Sequence, residues 1–200
     1  MKMNYQLETD KCIAALPSGQ KPSLLLQSCC GPCSSYVLEY LTQYFDVTVL
    51  YYNPNIQPAE EYEKRLFYQL EVLKHIPAKL MECDYDGAAF TEIAAGYEAE
   101  PEGGARCTRC FLLRLEETAK RAAAGGFDFF CTTLTVSPHK DAERINRIGG
   151  ELGDTYGVRW LPCDFKKRNG YLRSIQLARE YELYRQDWCG CSYSRQNSEY

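Results

Sequence analysis

Short apolar segments recur along the chain, separated by stretches of helical periodicity, and this alternation restricts the fold more than any other feature. Val47-Thr48-Val49-Leu50-Tyr51-Tyr52 is an unbroken β-branched and aromatic run, which suits a strand covered on both faces, and Asn53-Pro54-Asn55 ends it. Leu24-Leu25-Leu26, 79–82, 127–133 and 157–161 read as four further strands. Among the intervening helices, 59–75 is the clearest, with Tyr62, Leu66, Leu70 and Leu73 on one face and Glu60, Glu61, Glu63 and Lys64 on the other. Others are expected over 35–44, from Cys110 to the Gly125-Gly126 stop, over 141–152 behind a Ser137-Pro138 cap, and over 174–184. The pattern predicts an α/β fold, a Rossmann-like parallel sheet of about five strands with helices on both faces.

The 200 residues, 45% of them apolar, are read as one domain spanning 1–200, with 1–22 a leading helix or arm and 195–200 a frayed tail. Lys and Arg number 23 against 27 Asp and Glu, so the chain is no polycation, and a polyanionic partner must meet a local patch. No apolar leader region and no stretch long enough for a membrane span are present, which places the chain in the cytoplasm with no membrane partner. Eleven cysteines in a reducing compartment do not form a disulfide framework, and metal ligation or catalytic redox remain. With only His75 and His139 available, the ligands point to zinc or iron–sulfur chemistry.

Gln27-Ser28-Cys29-Cys30-Gly31-Pro32-Cys33-Ser34 puts three sulfurs at the exit of the first strand, beside a helix whose N-cap is expected at Ser34. Cys107-x-x-Cys110 stands before another helix, delivered by a mobile loop over 98–106, so two loops can close a four-thiolate cage read as an iron–sulfur site. The alternatives are a zinc ion on Cys30, Cys33, Cys107 and Cys110, and a thioredoxin-like dithiol at Cys30 and Cys33. Cys189-Gly190-Cys191 would close a very small, strained disulfide ring, apt as an electron relay; the plainer reading is two buried thiols. Cys12, Cys83 and Cys131 are taken as core or spare residues, and an additional metal ion on Cys33 or Cys163 is left open.

In a parallel sheet the ligand crevice lies outside the carboxyl ends of the strands. Cys29 and Cys30, Asn53, Cys83 and Asp84, Thr135 and Ser137, and Cys163 and Asp164 follow five successive strands and are expected on that edge. Asp84 and Asp164 are candidate proton donors, each otherwise a turn residue. Arg109, Lys166 and Lys167 are candidate contacts to a substrate, otherwise solvated charge, and Asn53 is expected to shape the pocket. His139 reads as a solvated first-turn residue. Tyr51, Tyr52, Tyr85 and Tyr171 offer planes for an unstacked base, although tyrosine at such spacing is more often packing.

Taken in order, Ser28-Cys29-Cys30-Gly31-Pro32-Cys33, Tyr51-x-Asn53-Pro54-Asn55-Ile56, Glu61-Tyr62-x-x-Arg65, Arg106-Cys107-x-x-Cys110-Phe111-x-x-Arg114-Leu115, Thr132-Thr133-Leu134-x-x-Ser137-Pro138-x-Lys140, Asp164-Phe165-Lys166-Lys167 and Cys189-x-Cys191 resemble the QueH type of epoxyqueuosine reductase over about residues 24–194. The resemblance implies an adenine-nucleotide-hydrolase-like fold and reduction of the epoxide of epoxyqueuosine, at the wobble position of certain tRNAs, to queuosine. It further implies a 4Fe-4S cluster on Cys29, Cys30, Cys107 and Cys110, a redox-active pair at Cys189 and Cys191, and an external low-potential electron donor. Cysteines stand where nucleotide-hydrolysing relatives carry a Gly-rich phosphate loop, which argues against use of ATP. Two other functions compete: a zinc-stabilised RNA-binding protein, and a thiol-disulfide oxidoreductase acting through Cys189 and Cys191.

Overall fold

The computed structural model describes residues 3–195. Its elements run α1 (Tyr5–Ala14), β1 (Ser23–Gln27), α2 (Gly31–Leu41), β2 (Asp46–Leu50), α3 (Ala59–His75), β3 (Lys79–Met81), α4 (Gly87–Ala94), α5 (Ala105–Ala124), β4 (Phe129–Thr132), a 3-10 turn (Leu134–Val136), α6 (Ala142–Tyr156), β5 (Arg159–Trp160), α7 (Gly170–Glu180) and α8 (Ser192–Arg195). Apart from Arg195, the tail expected to fray lies outside the described residues. The five strands pair in parallel in the order β3-β2-β1-β4-β5. Strand order reverses beside β1, so the crevice between the carboxyl ends of β1 and β4 is where such a sheet binds its ligand.

Alternating side chains of the strands feed two cores. Leu24, Leu26, Val47, Val49, Phe129 and Cys131 pack with Val37 and Leu38 of α2, Val72 of α3 and Ala178 of α7. Leu25, Leu50 and Phe130 pack on the opposite face with Phe111, Leu115 and Ala119 of α5 and Ile145 and Ile148 of α6. A strand whose neighbouring residues enter different cores is apolar throughout, which is why Leu24-Leu25-Leu26 shows no alternation. The leading residues form a helix, docked where the Thr9 hydroxyl donates to the Pro162 carbonyl at 2.6 Å.

Three local expectations are corrected. Helix α2 begins at Gly31 and takes in Gly31-Pro32, with Cys30 at the N-cap, because proline is at home in a first turn; the Ser34 hydroxyl bonds back to the Gly31 carbonyl at 3.0 Å. Helix α6 is capped by Asp141, whose side chain accepts from Arg144 N, so Ser137-Pro138 lies in the approach segment instead. The 98–106 loop is pinned by Arg106, whose Nη1 donates to the carbonyls of Tyr97, Glu98 and Glu100 at 2.8, 3.0 and 2.6 Å. Arg144 Nη1 adds a bond to the Gly103 carbonyl at 2.6 Å.

Helices α2 and α3 meet at Gly31, where a Cβ would stand 2.6 Å from the Tyr68 carbonyl oxygen. Gly31→Ala is therefore expected to cost about 1–3 kcal/mol of stability. It is read as a lower urea midpoint at unchanged slope, and an unchanged midpoint would mean the two helices separate freely.

Candidate active site

The exits of β1, β2 and β4 are tied together by polar side chains. Gln27, the last residue of β1, accepts from the Thr132 hydroxyl at 2.7 Å and donates through Nε2 to the Tyr52 carbonyl at 3.2 Å and to Asn53 Oδ1 at 3.1 Å. Asn53 Nδ2 donates to the Ser28 carbonyl at 2.7 Å, and the Ser28 hydroxyl donates to Gln69 Oε1 at 2.6 Å. All of these groups are buried, so each bond holds against a low-dielectric background. The stitching fixes where the chain turns into Cys29 and Cys30.

At that turn the sulfurs of Cys29, Cys30 and Cys33 lie within 4.8 Å of one another. Cys29 is the centre of charge: hydrogen bonds from Cys30 and Cys33, then one from the Thr133 hydroxyl and the nearby Arg114 charge, outweigh burial and hold its thiol well below the usual range. Its neighbours keep their protons, Cys30 being pushed up to about 12 by the hydrogen bond to Cys29. The Thr133 hydroxyl sits 3.4 Å from Cys29 Sγ and also accepts from Cys29 N, so residues at the ends of β1 and β4 bind each other across the crevice.

The second cysteine pair opens α5. Cys107 Sγ accepts from Gly103 N at 3.2 Å and packs with Cys29 against the same apolar cluster. Cys110 is buried with Cys191, Phe90 and Ala94. One turn on, Arg114 is fully buried; its Nε reaches the Cys110 carbonyl at 3.4 Å, and its Nη2 has no hydrogen-bond partner among the described residues. Burial opposes its charge, but the sulfurs of Cys110, Cys189 and Cys29 more than offset that. A guanidinium buried among sulfurs implies ionised sulfur as its counter-charge. Three convergent sulfurs beside a helix N-terminus and a buried cation fit a thiophilic metal group such as an iron–sulfur cluster. The close trio contains Cys33; Cys107 and Cys110 stand outside that 4.8 Å grouping.

A cavity of about 910 Å³ opens over this turn, lined by Cys29, Cys33, Arg65, Arg114, Lys140, Tyr171 and Cys189 among others. Cys189 reaches it on the segment that follows α7. Lys140 Nζ lies 3.3 Å from Cys189 Sγ and 3.2 Å from Glu102 Oε1. The hydrogen bond from Cys191, then the charges of Lys140 and Arg114, hold Cys189 well below the ordinary thiol range, while Cys191 is pushed up. All eleven cysteines are free thiols in this structure, so Cys189 and Cys191 are not joined.

Other residues singled out in the sequence fall elsewhere. Asn53 is committed to the backbone of the cysteine turn. Asp164 is buried and paired with Lys166 at 2.5 Å; Asp84 and Lys167 are exposed. Arg109 Nε donates to the Ile93 carbonyl at 2.8 Å, and its guanidinium lies over the Tyr97 ring. None of these six residues lines the cavity. Cys163 and Cys131 are core residues, the Thr135 hydroxyl donating to Cys163 Sγ at 3.4 Å. Tyr51 and Tyr52 are buried packing residues, whereas Tyr171 and His139 line the cavity. Arg65, Arg114 and Lys140 escaped assignment in the sequence, although each stands in one of the quoted motifs; for Arg114 and Lys140 the signal was a cation following a cysteine or a Ser-Pro turn at fixed spacing, and for Arg65 one following Glu61-Tyr62.

A parallel sheet with a sulfur-rich turn at its switch point defines the class: an α/β protein of Rossmann-like fold with thiols at its ligand edge. A solved structure of this kind is the U34-tRNA thiolase NcsA from Methanococcus maripaludis with its [4Fe-4S] cluster. It superposes with a TM-score of 0.56 at 12% identity, covering 94% of this chain and 67% of its own. Residues 24–197 match the family model for epoxyqueuosine reductase QueH. Proteins of that name from Streptococcus pyogenes (44% identical, 87% of this chain, 71% of the relative) and Staphylococcus epidermidis (42%, 96% and 85%) are close relatives. The one from Thermotoga maritima is 34% identical over 86% of this chain and 90% of its own length. The chain belongs to the QueH family and is an oxidoreductase, an epoxyqueuosine reductase.

Asn53→Ala would remove the shorter of the two hydrogen bonds to the Ser28 carbonyl and one of the acceptors of the Gln27 amide, both buried, at about 0.5–1.5 kcal/mol for each bond lost. Urea unfolding measures it; a loss below the scatter of surface substitutions would remove Asn53 from the framework of the cysteine turn.

Proposed function

We propose that a 4Fe-4S cluster held by Cys29, Cys30, Cys107 and Cys110 and a redox-active Cys189–Cys191 pair together reduce the epoxide of epoxyqueuosine in a tRNA anticodon to the alkene of queuosine. The observation that carries this reading is the convergence on one cavity of Cys29, Cys189 and the buried Arg114. Removing the epoxide oxygen as water takes two electrons and two protons. The cluster, when bound, supplies electrons singly at low potential, drawn from an external donor. Cys189 and Cys191 can hold an electron pair between dithiol and disulfide.

The chain itself does the rest. A cavity of about 910 Å³ is within the size range of small-molecule sites and admits one flipped-out nucleoside. Tyr171 presents a ring there, and its hydroxyl, beside Arg185 Nη2 at 3.5 Å, can give a proton to the leaving oxygen. Asp164 and Asp84 are the carboxyl alternatives for that proton. Arg109, Lys166, Lys167 and Asn53 remain proposed contributors to substrate binding, the first three through tRNA phosphates and Asn53 by shaping the turn. Cys33, the third sulfur of the close trio, is the natural ligand for an additional metal ion. No helix among the described residues is long and apolar enough to cross a membrane, and tRNA modification places the reaction in the cytoplasm.

The test is anaerobic incubation of the purified protein with epoxyqueuosine-containing tRNA and a low-potential reductant, followed by nucleoside analysis; queuosine is expected. Cys107→Ser and Cys110→Ser should each lose iron and visible absorbance, whereas Cys189→Ser and Cys191→Ser should keep iron and lose turnover. Iron retained by both Cys107→Ser and Cys110→Ser, or a colourless zinc protein that makes no queuosine, would overturn the assignment.

A further inference from the structure

We propose that Arg65 and Gln186 form the subsite that reads the pairing edge of the substrate's guanine ring, Arg65 Nη2 donating to O6 and Gln186 Oε1 accepting from N1–H. The proposal rests on the reading that a flipped-out nucleoside of a tRNA enters the cavity. Among the described residues, three buried polar atoms on side chains lining that cavity have no hydrogen-bond partner: Arg65 Nη2, Arg114 Nη2 and Gln186 Oε1. Buried polar groups are nearly always paired, so such atoms mark where something else completes the site. Arg114 stands among the sulfurs of the cysteine centre, which meet its charge. Arg65 and Gln186 remain.

Arg65 is held on three sides. Its side chain is 2% exposed; Nε donates to Glu61 Oε1 at 2.6 Å, Nη1 donates to the Cys189 carbonyl at 3.2 Å, and the guanidinium lies over the Trp188 ring at 4.9 Å. The planar fork therefore fixes the direction of Nη2, while Glu61 balances the charge. Gln186 comes from the same neighbourhood. The Tyr184 hydroxyl donates to Glu61 Oε1 at 3.4 Å and the Cys189 carbonyl accepts from Arg65, so both ends of 184–189 are tied to one ion pair. Gly190 closes the turn beyond, since at φ 111° a Cβ there would stand 3.0 Å from Arg65 Nη1. The middle of the stretch, with Gln186 in it, is thereby kept beside Arg65.

A donor from a neutralised guanidinium beside an amide oxygen suits an uncharged edge better than a phosphate, because the amide oxygen would repel an anion. Guanine offers such an edge: O6 accepts, and N1–H and the 2-amino group donate. Adenine offers the reverse. Its 6-amino group would meet the guanidinium and its bare N1 the amide oxygen, leaving two buried groups unsatisfied. Epoxyqueuosine is a guanine derivative that still pairs with codons, so its epoxide-bearing arm leaves the ring away from this edge. A base seated on Arg65 and Gln186 keeps that arm free for the part of the cavity lined by Cys29 and Cys33. Enzymes that flip a base out of its stack read it at the same edge.

The test uses the full chain, purified anaerobically, and measures by fluorescence anisotropy the binding of labelled anticodon stem-loops that differ only at the wobble base. Shared phosphate contacts cancel in the ratio of dissociation constants. The parent should bind the guanine and inosine loops about tenfold or more tighter than the adenine loop, because inosine keeps both O6 and N1–H. Gln186→Met, which keeps the volume and removes the amide, should bring guanine and adenine to within about threefold, whereas Gln186→Glu should keep the preference. Equal binding of guanine and adenine by the parent, a preference that survives in Gln186→Met, or one lost in Gln186→Glu would overturn the proposal. The base series in the parent needs no variant, so it decides even where a substitution unsettles 184–189. Queuosine formation is scored separately: queuosine without a guanine preference removes the subsite and leaves the reductase, and a guanine preference without queuosine removes the reductase and leaves the subsite.

Discussion

Everything at the active edge hangs on Gln27. Its one amide reaches across both neighbouring strands, to Thr132 at the end of β4 and to Tyr52 and Asn53 beyond β2, at full burial. Two strands in a sheet share backbone bonds, but those bonds stop where the strands stop. Beyond the last pair, the side chains of Gln27, Asn53 and Thr133 replace them, and the cysteine turn inherits the rigidity of the sheet. That rigidity keeps three sulfurs within 4.8 Å of one another at the turn.

Charge balance explains the second layer of the site. Arg114 and Lys140 are both buried, one wholly and one nearly so, and both are turned toward sulfur. Burying two cations this deep is costly unless anions meet them, and besides the half-exposed Glu102 carboxylate on Lys140 the groups at hand are sulfurs. Cys29 and Cys189 are the sulfurs that these surroundings favour in charged form, while Cys30, Cys33, Cys110 and Cys191 are pushed the other way. A cavity wall carrying two such cations favours anionic sulfur at Cys29 and Cys189 alike.

Much of this was legible in the residues. Parallel topology followed from strands such as 47–52, too apolar for a one-faced sheet, and the helix Ala59–His75 was read to its boundaries because its two faces differ so sharply in composition. The cysteine groups were visible as spacing, and the motifs carried the family. The misreadings were of a different kind. Ser34 and Ser137 are good capping residues passed over because the Gly31-Pro32 turn and Asp141 offered better starts. The 98–106 loop looked mobile by composition, yet a single guanidinium, Arg106, collects three of its carbonyls. Arg114 and Lys140 went unassigned because the burial of a charge is decided by which helices pack over it, and that is a long-range fact no local pattern contains. Cys163, which follows a strand as Cys29 does, lies in the core, where the Thr135 hydroxyl donates to its sulfur and Asn146 holds its backbone.

The cavity wall that carries Cys189 and the turn with Cys29, Cys30 and Cys33 come from segments far apart in the sequence. The segment bearing Trp188 and Cys189 closes over that turn by docking on Arg65, whose guanidinium lies over the Trp188 ring and donates to the Cys189 carbonyl. A fragment lacking either segment would not enclose the chamber, which exists only once distant parts of the chain have met.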